Sequence, residues 1–341
     1  MKMIFYALMN ADGNLSRFAK YAWLVLAYNL LVILWGVFLR ASKSGDGCGQ
    51  HWLTCQGEVV PSAPELKTII EFSHRITSAL DGLIVIVLLI WAIRIWQNSR
   101  GPASKHVLLF ASGAFLFVLI EGALGAGLVL TGNTAETLTP ARPFWMGAHL
   151  INTLVLLTLL TITAWTASRG RSLKIVGDRT QLKWITVGVL LIFAVGITGS
   201  IAALSNMIFP SGTISEGIAK DFSATSHTIL RIRPLHPILA AVSVIFLVFW
   251  AGWLKGKKIL NPSAGRLATA LTWLAVVQAG FGALTLLTLG PILMQLGHLL
   301  LADAIWIVFV LLSVNLLCED AADQLPERHA SPAKTIVSSE T

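Results

Sequence analysis

The sequence predicts an all-α integral membrane protein, with eight transmembrane helices arranged as two pseudo-symmetric four-helix bundles. Three observations predict it. The 341 residues have a mean hydropathy of +0.74 and only 12% are charged, about half the usual share of a soluble domain. The apolar residues gather in runs of about 20 or more, the length that crosses a hydrocarbon core. The two halves of the chain also resemble each other at a spacing of about 157 residues.

The predicted spans are 19–40, 70–97, 107–131, 144–168, 183–205, 229–254, 267–289 and 292–317. The stretch before the first is polar, and the apolar run after it is too long for the core of a cleaved signal. Spans seven and eight are separated only by Gly290 and Pro291, but one helix cannot hold so many apolar residues, and Gly-Pro breaks helices. Residues 1–168 then form an N-terminal bundle with an outer cysteine loop at 41–69, and 169–182 a basic linker. Residues 183–317 form the C-terminal bundle, and 318–341 a polar tail with the composition of a disordered segment beyond about residue 322.

The net charge of +8 reads as topology, not nucleic-acid affinity. Lys2, Arg17 and Lys20 precede the first span. Arg100 and Lys105 fall in the second connection, Arg169, Arg171, Lys174, Arg179 and Lys183 in the fourth, and Lys255, Lys257, Lys258 and Arg266 in the sixth. The odd-numbered connections are poorer in cations and hold Asp46, Glu58, Glu65, Glu136, Glu216 and Asp221. Positive-inside bias puts both termini in the cytoplasm of a multi-pass protein. A bacterial cell (inner) membrane is the simplest setting, since no Arg- and Ser-rich transit peptide is present.

The duplication is visible span by span. LIEGALGAGLVLTG from Leu119 lies over VVQAGFGALTLLTLG from Val276, setting Glu121 over Gln278 and Gly125 over Gly282. GAHL around His149 matches LGHLL around His298, and SHR at His74 matches PLHP at His236. Four helices separate the repeats, so they are parallel, about an axis along the membrane normal.

His74, His149, His236 and His298 each lie roughly six to eight residues inside a span, about 10 Å below one surface at 1.5 Å per residue. Intramembrane ionisable residues are functional candidates by default. Two imidazoles per bundle suit the axial positions of a haem, whereas zinc would want a single cluster of three or four ligands. Arg75, Arg142, Arg231 and Arg233 lie on the same outer side, and arginine's fork matches carboxylates such as haem propionates.

Glu71 precedes His74 by one helical turn; Arg233 holds that place before His236. A carboxyl beside a haem could hold water, take a proton or stabilise positive charge. The divergence suggests one catalytic site and one electron-carrying site. Glu121, Asp303 and Asp81 also fall inside spans, with no role legible. Cys48 and Cys55 (CGQHWLTC) lie in the outer loop, an oxidising compartment in bacteria. Spacing does not separate a structural clip from a redox pair, or from a weaker metal site with His51.

Together, GCGQHWLTCQGEVVPS from Gly47, EFSHR from Glu71, GAHL from Gly147, RPLHP from Arg233 and GHLLLAD from Gly297 resemble the haem A synthase family across residues 20–317. The resemblance implies a membrane oxidoreductase that oxidises the C8 methyl of haem O to a formyl group, giving haem A for terminal oxidases. It implies that His74 and His149 hold substrate haem O, that His236 and His298 ligate a haem B cofactor, and that Glu71 matters to the reaction. It also implies a Cys48–Cys55 disulfide, as in one branch of the family. Many relatives carry a proline before the second cysteine, where this chain has Trp52-Leu53-Thr54. Expected partners are membrane lipid, which delivers the lipophilic substrate laterally, and, transiently, a haem O synthase. A homo-oligomer is compatible with the sequence, and the electron donor is open. The competing readings are a di-haem B electron-transfer cytochrome and a transporter built from duplicated bundles.

Overall fold

The computed structural model describes residues 16–170, 173–175, 179–257 and 260–320. Residues 1–15, residues 171–172 and 176–178 of the basic linker, residues 258–259 and the tail beyond residue 320 lie outside these. Eight helices are long and apolar enough to cross a membrane, as the sequence predicts, and the protein is a multi-pass membrane protein.

The N-terminal half comprises α1 (Arg17–Ala41), α2 (Leu66–Ser99), α3 (Pro102–Leu130) and α4 (Arg142–Arg169). The C-terminal half comprises α5 (Arg179–Ile208), two short outer helices α6 (Ile214–Phe222) and α7 (Thr228–Ile232), then α8 (Leu235–Gly256), α9 (Pro262–Leu287) and α10 (Ile292–Leu317). The helix starts carry their signals. Ser16 and Asn261 cap α1 and α9 through side-chain oxygens, and prolines stand in the first turns of α3, α4 and α9. Gly290, at φ +69°, makes the turn into α10 that the Gly-Pro pair predicts.

Two details differ from the sequence reading. Span six is α7 and α8 in succession, interrupted at Arg233–Pro234, because proline has no N–H to continue the helical hydrogen-bond ladder. The outer helix α6 has no counterpart among the predicted elements. Beyond the helices, Leu173–Ile175 (β1) pairs antiparallel with Cys318–Asp320 (β2), joining linker to tail.

In the N-terminal half α1 packs on α2, α2 on α3, α3 on α4 and α4 back on α1; α5, α8, α9 and α10 close in the same cyclic order. The halves meet where α4 touches α5 and α10, and α10 touches α1. Accordingly α4 and α10 are the inner helices: a little over half (56%) of the apolar window of each is buried, against at most 28% elsewhere. Trp306 of α10 donates its indole N–H to the Leu154 carbonyl of α4 at 2.8 Å, satisfying a polar atom that would otherwise be stranded in an apolar interface. Leucines and isoleucines such as Leu24, Leu83, Leu116, Leu190 and Ile245 face outward, as expected of a surface solvated by lipid.

Candidate functional site

Each half sets its two histidines on facing helices. His74 of α2 lies over Gly36 of α1, where a Cβ would come within 3.1 Å of its ring. His149 of α4 is within electrostatic reach of His74. Its Nδ1 lies 3.2 Å from Glu121 Oε1 of α3, out of line for a regular hydrogen bond. In the other half His236 of α8 lies over Gly199 of α5, and His298 of α10 over Gly282 of α9; a Cβ on either glycine would approach the ring to 2.9 Å. His236 Nδ1 meets the Val195 carbonyl at 3.2 Å. The Gln278 amide donates to the His298 carbonyl at 3.0 Å and sits 3.4 Å from its ring nitrogen.

The centres of the His236 and His298 rings are 6.3 Å apart with their planes crossed at 88°. A metal–imidazole bond of about 2 Å, plus roughly 1 Å from nitrogen to ring centre, puts two axial rings about 6 Å apart across one iron. The C-terminal pair therefore fits a bis-imidazole haem. Nδ1 of His74 and His298 is buried without a hydrogen-bond partner, a costly state that coordination to a bound metal could relieve. Among the described residues no cluster of three or more His, Cys, Asp or Glu could hold a bare metal ion. The most evident clefts open at the opposite end of the helices, lined by Trp91, Arg94, Ser16 and Gly170 among others, with no histidine in either.

Above His74 the cysteine loop is folded onto the start of α2. Cys48 and Cys55 are joined by a disulfide and fully buried. Gly47 is a true contact glycine: a Cβ would stand 2.4 Å from the Lys67 carbonyl. Its own carbonyl accepts from Thr68 Oγ1 at 2.8 Å and Gln56 Nε2 at 2.9 Å. Glu71 is buried, accepts the Cys48 N–H at 2.9 Å and pairs with Arg75. Arg75 Nη1 reaches the carbonyls of His51, Trp52 and Thr54 at 2.5, 3.0 and 3.0 Å. The E-x-x-H-R element is thus clasped to the loop.

Three of the four outer arginines are engaged in this way, which the sequence did not foresee. Arg142 is buried, with its fork on the carbonyls of Thr134, Ala135 and Thr137. Arg233 binds Asp221 at 2.6 Å, Asn206 at 2.5 Å and the Gly217 carbonyl at 3.0 Å, so it holds α6 as Glu71 holds the cysteine loop. Arg231 is exposed. Sequence reasoning missed Arg40, which donates to Gln295 Oε1 across the two halves at 3.2 Å. It also missed Gly36 and Gly199, which precede His74 and His236 by 38 and 37 residues and so could have been found from the repeat.

Fold and site define a multi-pass membrane protein with a pair of intramembrane imidazoles in each of two repeated halves. A model of the cytochrome oxidase assembly protein family (COX15-CtaA) matches residues 19–310. The haem A synthase of Alkalihalophilus pseudofirmus is 31% identical over 256 residues, 73% of this chain and 78% of that one. The haem A synthase of Halalkalibacterium halodurans is 41% identical over 131 residues, 38% of this chain and 42% of that one. A protohaem IX farnesyltransferase of Thermus thermophilus is 40% identical over 303 residues, 89% of this chain but 49% of that one. The chain thus spans about half the length of that relative. The protein belongs to the cytochrome oxidase assembly family that includes the haem A synthases.

Proposed function

We propose that this protein is a haem A synthase that oxidises the C8 methyl of haem O to a formyl group. The observation that carries this reading is the paired imidazoles on facing helices, joined to a buried carboxylate, Glu71, one turn from His74 in the N-terminal half alone. His74 and His149 would hold substrate haem O, taken in laterally from the bilayer between helices. His236 and His298 would hold haem B, which when bound supplies one-electron exchange with the N-terminal half.

Glu71 is the residue to stabilise positive charge or manage a proton at the methyl carbon as it passes through an alcohol stage. Its two oxygens are fixed by the Cys48 N–H and by Arg75, so it is held in place without reorganisation during reaction. The disulfide acts through that clasp. We assign the propionates first to exposed Arg231. Arg75, Arg142 and Arg233 frame the outer mouth, each fixing its own loop. The membrane is the bacterial cell membrane, with both termini cytoplasmic.

The Thermus relatives support one partner. They carry a farnesyltransferase name, and about half their length lies outside the matched region. A haem O synthase supplying this chain by transient association is the corresponding arrangement. The test is co-expression with a haem O supply and chromatography of the extracted pigments. Haem A beside haem B is the expected result; two equivalents of haem B and no conversion would leave a di-haem electron-transfer cytochrome.

A further inference from the structure

The two halves treat their second histidine differently, and the difference extends beyond one position. In the N-terminal half Glu121 of α3 places Oε1 3.2 Å from His149 Nδ1. That carboxylate is itself held from α4. Asn152 Nδ2 donates to Oε2 at 2.5 Å, and Thr153 donates to Oε1. Asn152 is fixed in turn by the Phe117 carbonyl at 2.9 Å. In the C-terminal half Gln278 replaces Glu121. At the positions that follow His298 as Asn152 and Thr153 follow His149, the chain has Leu301 and Ala302. The second half therefore lacks the carboxylate and also the two donors that hold it. Beside His298 stands an uncharged amide without such supports, its Nε2 3.4 Å from the ring Nε2 and donating to the His298 carbonyl.

We propose that Glu121 is a positioning residue that lowers the redox potential of the N-terminal haem site by acting on His149. The inference rests on the reading of His74 and His149 as haem ligands. A carboxylate facing the distal nitrogen of a ligating imidazole fixes the ring, makes it a stronger donor and adds negative charge near the iron. Both effects favour the ferric over the ferrous state. In the low-dielectric interior of a helix bundle that charge is weakly screened. Gln278 stands beside its ring without adding charge, so the two sites would sit at different potentials although both would be bis-imidazole.

The experiment is a potentiometric titration of the purified, haem-loaded protein, following the visible bands of both haems, after pigment content has been measured. The wild type should show two separate waves. Glu121→Gln should raise the lower wave and leave the other unmoved. Gln278→Glu should lower the higher wave, and combining the two should bring about both changes. If Glu121→Gln retains both haems and neither wave moves, the inference is overturned. It is also overturned if Glu121→Gln loses the N-terminal haem while Gln278→Glu, still loaded, leaves its wave in place, since Glu121 is then only a structural prop. A wild type that binds no haem in the N-terminal half overturns the proposed function itself, and is told apart by the pigment count.

Discussion

At the scale of single residues, the side chains around Glu71 decide whether the cysteine loop is part of the site. Glu71 has an exposure of only 4%, and Arg75 joins it to three loop carbonyls. Breaking one side of a buried pair typically costs about 3–5 kcal/mol, because the other charge is left behind. Arg75→Ala should therefore loosen the loop, and the Cys48–Cys55 bond should be reduced faster by dithiothreitol than in the wild type. Glu71→Gln keeps the shape and removes the charge. It should leave haem content unchanged while haem O conversion falls by about 100-fold or more, the usual worth of a positioned acid–base group. An unaltered conversion rate, read by pigment chromatography, would remove Glu71 from the chemistry. Glu71 stood out in the sequence, because the repeat puts Arg233 in the matching place. The engagement of Arg75, Arg142 and Arg233 was not, because their partners are mostly backbone carbonyls of irregular loops, and carbonyls have no sequence signature.

At the scale of elements, the membrane made most of the fold legible. A bilayer accepts only long apolar helices or closed barrels, so eight runs read from the sequence became eight helices. The interruption at Arg233–Pro234 and the outer helix α6 escaped that logic, since both lie where the hydrophobic constraint ends. The glycines facing the histidines are close contacts between elements. Gly199→Ala and Gly282→Ala would push a methyl to 2.9 Å from the His236 and His298 rings. Overpacking of this kind costs about 1–3 kcal/mol. Each variant should therefore bind the C-terminal haem about 5- to 150-fold more weakly, with the N-terminal site intact, as measured by haem stoichiometry. The α6 loop offers a pH test. The Glu216 carboxyl is held below the ordinary carboxylate range by hydrogen bonds from Lys220 and then from the Gly212 N–H. A group with a lowered folded value stabilises the fold above its unfolded value, near 4.5, and loses that contribution as pH falls through the folded one. The protection factors of amides in Ile214–Phe222, corrected for the intrinsic pH dependence of exchange, should fall selectively on acidification below that unfolded value.

At the scale of the whole molecule, the second histidine of each half rides on an inner helix, His149 on α4 and His298 on α10. Those helices pack within their own halves and also against one another and the opposite half. The sequence showed the repeat but not how the repeats meet, because inner and outer helices are similarly apolar. Trp306, bonded to Leu154 at 2.8 Å and to Thr158 at 3.1 Å, ties the pair. What began as two copies of one unit has thus become a single body. Severed between α4 and α5, the pieces should be recovered from detergent only when produced together, each alone presenting to lipid a face built to meet its twin. The repeat is written in this chain, and each copy packs against the other.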